Sequence, residues 1–210
     1  MKENKKSEVK IHNEHYKLMN EETWPDFEAM FQKHKGVRGG CWCVFHQCSS
    51  SQFQKMLKDE RRDFHWQRVL GGTSTGVIYY VDELPVAWCE FGRADLFEQI
   101  NRNRAYLSLA LPIAEKPEWR ICCIFTDKEH RKEGLSKKVL AAALTLIEEM
   151  GGGKVEAFPL DIEGNDKPQY TGTVKMYLDE GFQIVAPLSK NQLLMEKYVK
   201  KSLLETETKD

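Results

Sequence analysis

Residues 119–150 constrain this chain more than any other stretch. Trp119 to Thr126 is a continuous apolar run of strand length, rich in Ile, Phe and Cys, the pattern of a strand covered on both faces. A polar run from Asp127 to Glu133 leads to Gly134, after which Leu135, Val139, Leu140, Ala143, Leu144 and Ile147 fall at helical spacing. Gly151, Gly152 and Gly153 end that helix, because glycine accepts the left-handed backbone of a C-terminal cap. A strand passed through a short basic turn onto a helix N-terminus makes an anion site. The first turn leaves several N–H groups unpaired, and the helix dipole adds about half a positive charge. Arg131 and Lys132 add charge, and Gly134 lets a ligand approach the backbone. These residues point to a bound phosphate.

At 210 residues the chain suits one domain, expected over 9–199 between charged tails at 1–8 and 200–210. Thirty-one basic against 32 acidic residues leave a net charge of −1, so nothing electrostatic favours nucleic acid or a membrane surface as partner. No apolar stretch approaches the roughly 18 residues of a membrane span, and Met1 to Lys10 has no apolar core. The expectation is a cytoplasmic protein with reduced thiols at 41, 43, 48, 89, 122 and 123. Cys41, Cys43, His46 and Cys48 are soft ligands close together, but C-x-C is tighter than the usual zinc spacing and one segment rarely wraps a tetrahedron. No metal is expected there.

Earlier in the chain, Val9 to Leu18 reads as an irregular strand. A helix enters at Thr23-Trp24-Pro25 and runs to about His34. Gly36 to Gln47 carries an apolar Cys-Trp-Cys-Val-Phe run that reads as a short strand, and one helix is expected over 52–70. Thr75 to Val81 and Val86 to Phe91 are hairpin strands about the Asp82 to Pro85 turn. The long connection Gly92 to Glu118, with a short helix near Leu96 to Arg102, is assigned to the substrate side, as long connections are often functional. Beyond the long helix come a strand at Lys154 to Pro159, a polar loop at 161–170, a short helix over Thr173 to Glu180, and strands at Phe182 to Ala186 and Gln192 to Tyr198.

Arg131-Lys132-Glu133-Gly134-Leu135-Ser136 resembles the Q/R-x-x-G-x-G/A signature of the GCN5-related N-acetyltransferase (GNAT) superfamily, departing from it at Ser136. Lys175 to Phe182 resembles that family's Y-x-x-x-G-F ending, with Tyr177, Gly181 and Phe182 at the matching places. Gly39 to Cys43 and Tyr170 to Thr173 look like features of one bacterial branch. The resemblance spans about residues 75–198 and implies an α/β fold with a central mixed, mostly antiparallel sheet and helices on both faces. It further implies acetyl-CoA as acyl donor, its pyrophosphate held at Arg131, Lys132, Glu133, Gly134, Leu135 and Ser136. The pantetheine arm would lie against Ile124, Phe125 and Thr126. Many relatives place an Asn ahead of the Tyr to contact that arm; Thr171 stands there and Thr173 follows, each equally readable as a helix cap.

For acyl transfer to an amine, a base must take the ammonium proton and an acid must protonate the thiolate. Tyr177 fits the acid, since a phenol of pKa near 10 can protonate a thiolate of slightly lower pKa; the alternative is a packing role. Glu90 is the candidate base, with Glu118 as a second carboxylate, and Arg93 beside Glu90 reads as a substrate anchor or an ion-pair partner. The acceptor is an unassigned small-molecule or peptide amine, and a homodimer is compatible with the reading. The rival reading is a non-catalytic acyl-CoA-binding module on the same fold.

Overall fold

The computed structural model describes residues 12–161 and 170–202. The expected tail at 1–8, Val9 to Ile11 of the first strand, the interior of the polar loop and most of the C-terminal tail lie outside them. Seven strands form one sheet in the order β1-β2-β3-β4-β5-β7-β6. They are β1 (Glu14–Leu18), β2 (Thr75–Val81), β3 (Leu84–Arg93), β4 (Trp119–Thr126), β5 (Gly153–Ala157), β6 (Gln183–Ser189) and β7 (Gln192–Val199). Only β4 and β5 pair in parallel, so the sheet is mixed and mostly antiparallel, as the resemblance implies. The expected hairpin forms about Asp82 and Glu83, both at positive φ.

Helix α1 (Trp24–Lys33), α2 (Ser50–Lys55) and α3 (Lys58–Leu70) precede the hairpin; α4 (Glu98–Asn101) and α5 (Arg104–Leu107) lie in the long connection; α6 (Leu135–Glu149) and α7 (Val174–Asp179) follow β4. Strand alternation sends Val77, Cys89 and Phe91 to the face covered by α6, and Ile78, Tyr80 and Trp88 to the face covered by α1 and the 34–48 segment. Both faces are therefore dry, which is why β4 carries no polar alternation. α6 buries Leu135, Val139, Leu140, Ala143 and Ile147. It ends where a side chain on Gly152 would lie 2.5 Å from the Val199 carbonyl, so glycine lets β7 pass against the helix end. No helix among the described residues is long and apolar enough to cross a membrane.

Two expectations are corrected. The single helix over 52–70 is two, because Met56 and Leu57 are extended and the Glu60 carboxylate reaches back to accept the Leu57 N–H at 2.6 Å. That bond starts a second helix where no Gly or Pro marks a break. The apolar run in 36–47 is not a strand. Lys35, Gly36, Val37, Gly39, Gly40, Trp42 and Cys43 all take positive φ, and the segment coils on itself while Trp42, Cys43 and Val44 are buried. The 92–118 connection also braces the sheet where β4 and β5 are paired. Arg120 donates from Nε to Glu156 at 3.1 Å, and from Nη1 to the Ala94 carbonyl at 2.8 Å and to Asn101 at 2.6 Å. Tyr106 donates to Glu156 at 2.9 Å.

Candidate active site

The site begins with one extra residue. Glu90 pairs with Cys123 and Phe91 with Ile121, leaving Cys122 without an opposite number in β3. This is a β-bulge, which bends a strand and ends regular pairing. It explains why Trp119 and Ile121 share a face with Ile124 rather than with Cys123 and Phe125. β5 pairs with Trp119, Arg120 and Ile121 only, so β4 faces a gap from Cys122 onward. Asp127 donates its N–H to Val86 of β3, and by alternation Ile124 and Thr126 turn their backbone groups to the gap. Phe125 turns its amide to β3 and packs its ring 5.1 Å from Phe31. Of the three residues given to the pantetheine arm, Ile124 and Thr126 turn backbone groups to the gap and Phe125 does not. The Ile124 N–H is taken in this structure by the Tyr170 carbonyl at 2.6 Å.

Beyond the gap, β4 delivers the chain into the basic turn. Buried Asp127 accepts from the Glu129 N–H at 2.9 Å and from Lys33 Nζ at 2.9 Å, fixing a 3₁₀ turn over Lys128–His130. Burial would raise its pKa, but these bonds bring it below the usual value. Lys132 and Gly134 then take φ of 69° and 76°, alternating with Arg131 in extended conformation, and α6 starts at Leu135. Among the described residues no acceptor meets the amides of Arg131, Lys132, Glu133, Gly134, Leu135 or Ser136, whereas Lys137 and Lys138 donate to the Gly134 carbonyl. Successive unpaired amides in such a turn form an anion nest. A Cβ on Gly134 would meet nothing within 4 Å, so a ligand reaches the backbone there unhindered. Glu133 directs its carboxylate to His130, 3.3 Å away, leaving its amide as the contribution to the nest.

On the α1 face of the gap lies a cavity of about 180 Å³ whose wall includes Glu90, Cys122 and Cys123 of the sheet and Tyr170 and Thr171 of the turn. Glu90 is 1% exposed. Its Oε1 accepts from Gln47 at 2.7 Å and its Oε2 has no partner. Burial pushes its pKa up to about 8, against the pull of the Gln47 bond and Arg68. Gln47 is itself held, accepting from Arg68 Nε at 2.8 Å and donating to Ser74 at 3.0 Å, and Ser74 contacts His65 at 2.9 Å. Sequence reasoning missed Gln47, Arg68, His65 and Ser74. They come from separate segments with no shared motif, and only the fold places them behind Glu90.

The other candidates divide. Glu118 accepts the Lys154 N–H at 2.6 Å and so clamps β5 rather than serving the cavity. Exposed Arg93 lies over the Trp119 ring at 5.1 Å and does not pair with Glu90. Tyr177 is fully buried on the α6 face, 5.0 Å from the Phe182 ring, and its hydroxyl has no partner. Burial and the thiols of Cys89, Cys122 and Cys123 push it well above the usual phenol pKa, which keeps its proton in place. It therefore approaches the gap from the face opposite Glu90. Thr171 Oγ1 is buried without a partner beside the cavity, but Thr173 caps α7, accepting from the Met176 N–H at 3.3 Å. The Thr173 hydroxyl is thus engaged as a helix cap. Cys43 Sγ lies 2.9 Å from Cys123 Sγ, whereas Cys48 donates to the Val44 carbonyl at 3.4 Å. Among the described residues no three His, Cys, Asp or Glu side chains are grouped to hold a metal ion. The 92–118 connection contributes nothing to the wall of this cavity.

No family model matches the sequence, and no curated protein does. Solved structures do match. An N-acetyltransferase from Staphylococcus aureus Mu50 aligns over 90% of this chain and 99% of its own, with TM-score 0.52 at 12% identity. A Desulfovibrio desulfuricans protein assigned to the GNAT family aligns over 89% and 99%, with TM-score 0.53 at 12% identity. The yncA protein of Salmonella typhimurium, assigned as an acetyltransferase and crystallised with its cofactor acetyl-CoA, aligns over 90% and 96%, with TM-score 0.51 at 13% identity. These likenesses, together with the gap after Ile121 and the turn ahead of α6, show that the chain is built on the GNAT fold.

Proposed function

We propose that the chain is an acetyl-CoA-dependent N-acetyltransferase in which an amine attacks directly within a ternary complex. The observation that carries this reading is that one strand supplies both an opened edge, beyond Cys122, and an unpaired amide nest at its end. A diphosphate fits the amides of 131–136, and a strand-like arm fits beside Ile124 and Thr126 once Tyr170 releases the Ile124 N–H. When bound, acetyl-CoA supplies an activated acyl group as a thioester. Glu90 Oε2 accepts the proton that frees the amine lone pair, and its pKa near 8 suits a base working near neutral pH. As the new N–C bond forms and the C–S bond breaks, the thiolate takes a proton from Tyr177, and the free thiol leaves.

One observation favours the alternative of a non-catalytic acyl-CoA-binding module: the turn that blocks Ile124 also lays Gly172 against the Tyr177 ring. Calorimetric titration with coenzyme A and a thiol-release assay separate the two. Binding with turnover supports the enzyme, binding alone the module, and no binding removes both. Gly134→Val puts a β-branched residue at φ 76° and fills the approach, so coenzyme A affinity should fall at least about tenfold; unchanged affinity places the phosphates elsewhere. Tyr177→Phe should leave coenzyme A affinity intact and lower kcat by about 10- to 100-fold. Equal kcat across the pH range would remove Tyr177 from proton transfer.

A further inference from the structure

Three thiols meet where the 36–47 segment packs on β4. Trp42 and Cys43 both take positive φ, and this tight coil brings Cys41 Sγ to 3.7 Å from Cys43 Sγ, while Cys43 Sγ lies 2.9 Å from Cys123 Sγ. The second spacing is within about 1 Å of a disulfide bond. All three residues line the cavity of about 180 Å³ beside Glu90, and Cys41 and Cys123 are 8% and 6% exposed, so a solute little larger than water reaches them. Their protonation differs. The Cys43 thiol, the Cys43 N–H at 3.1 Å and the charges of Arg38 and Arg61 hold Cys41 below the usual thiol value, against burial. Arg61 is fixed there by donating to the Gly40 carbonyl at 3.2 Å. Burial pushes Cys43 well above that value. The Cys43 contact draws Cys123 down, but burial, Cys41 and Glu90 outweigh it and leave Cys123 raised. A thiolate in an electropositive, partly exposed place is the reactive form of cysteine.

We propose that Cys41, Cys43 and Cys123 form a peroxide-oxidised site in which Cys41 reacts first and a Cys43–Cys123 disulfide is the product. The Cys41 thiolate attacks one oxygen of hydrogen peroxide, the O–O bond breaks, and the departing hydroxide takes the proton that Cys41 gave up, leaving a sulfenic acid on Cys41. The Cys43 sulfur then bonds to Cys41, its proton and the sulfenic hydroxyl leaving as water. Cys123 gives up its proton as its sulfur attacks Cys43 Sγ; the Cys41–Cys43 bond breaks, and Cys41 takes that proton. Two thiols are oxidised, one peroxide is reduced to two waters, and Cys41 returns to its starting state. Exchange runs this way because Cys41 is the better leaving group. In addition, Cys41 and Cys43 are only two positions apart, whereas Cys43 and Cys123 are 80 apart, so the second bridge restricts the unfolded chain far more. The site needs no acetyl-CoA and stands apart from the acetyl-transfer reading. Its bridge pins the 36–47 segment to the central strand, in the cavity wall that Glu90 shares.

The test exposes the full reduced chain to hydrogen peroxide, traps the remaining thiols by alkylation in denaturant and maps linkages by mass spectrometry. The wild type should lose about two thiols per chain, joined as Cys43–Cys123 and recovered with dithiothreitol. Cys41→Ser should slow the loss at least about tenfold, and Cys123→Ser should stop at Cys41–Cys43. Cys48→Ser, which removes a thiol bonded to the Val44 carbonyl, should react like the wild type. The wild-type map decides the proposal even where a variant does not fold. Absence of any bridge, a bridge through Cys89 or Cys122, a final Cys41–Cys43 bridge, or undiminished oxidation of Cys41→Ser overturns it.

Discussion

Glu90→Gln is expected to lower kcat/KM by about 10²- to 10⁴-fold, the range a positioned base contributes, while making the protein more stable at alkaline pH. Both effects come from one carboxyl. In the folded chain its pKa is about 8 against an ordinary 4.5. Below pH 4.5 both folded and unfolded states carry the proton, and Glu90 has no effect on the balance. Between about 4.5 and 8 the unfolded chain loses the proton while the folded chain keeps it, so stability declines as pH rises. Above 8 the full cost remains, on the order of 5 kcal/mol. Glutamine keeps the shape and the contact with Gln47 but does not titrate. The urea midpoint of the variant should match the wild type near pH 5 and exceed it near pH 9. In the wild type, kcat/KM should rise with pH through an apparent pKa near 8. Parallel midpoints at both pH values would show that Glu90 does not hold a proton in the folded state, and a fully active variant would remove it as the base.

Arg120→Ala should cost about 3–5 kcal/mol, the largest stability loss expected from a single substitution here. Arg120 and Glu156 are 2% and 1% exposed, and truncation strands a buried carboxylate together with Asn101, which accepts from Arg120 at 2.6 Å. Replacing the pair by Arg120→Met with Glu156→Leu should recover much of the loss, because an apolar pair leaves no charge unmatched. Denaturant unfolding of the two variants checks this. A loss below about 1 kcal/mol for Arg120→Ala would mean that water already reaches the pair. The brace lies where β4 and β5 are joined, so folded Arg120→Ala should still bind coenzyme A.

Features carried by local periodicity were legible in the sequence. The central strand, the turn and α6 share one stretch, and β2 lies where the sequence reading places it, Thr75–Val81. Features made by distant groups were not. The break between α2 and α3 depends on the Glu60 carboxylate reaching the Leu57 amide, which no composition signal marks. The bulge at Cys122 hides inside a continuous apolar run, where a flip of face changes no residue type. Gln47 reaches Glu90 across 43 positions and Arg68 reaches Gln47 across 21. Glu90 could be singled out as a carboxylate on a strand, but its raised pKa comes from surroundings that only the fold assembles. The strand expected in 36–47 failed because its apolar side chains pack onto a sheet face, while the paired glycines let the backbone satisfy itself locally.

The bond from the Ile124 amide to the Tyr170 carbonyl has a protective side. Unpaired ladder groups invite another polypeptide to add itself as a strand, the usual route to aggregation. By covering that amide with its own turn, the molecule withholds the inner rim of the split from stray chains. A ligand that fits the split must then evict a resident neighbour rather than settle on bare backbone.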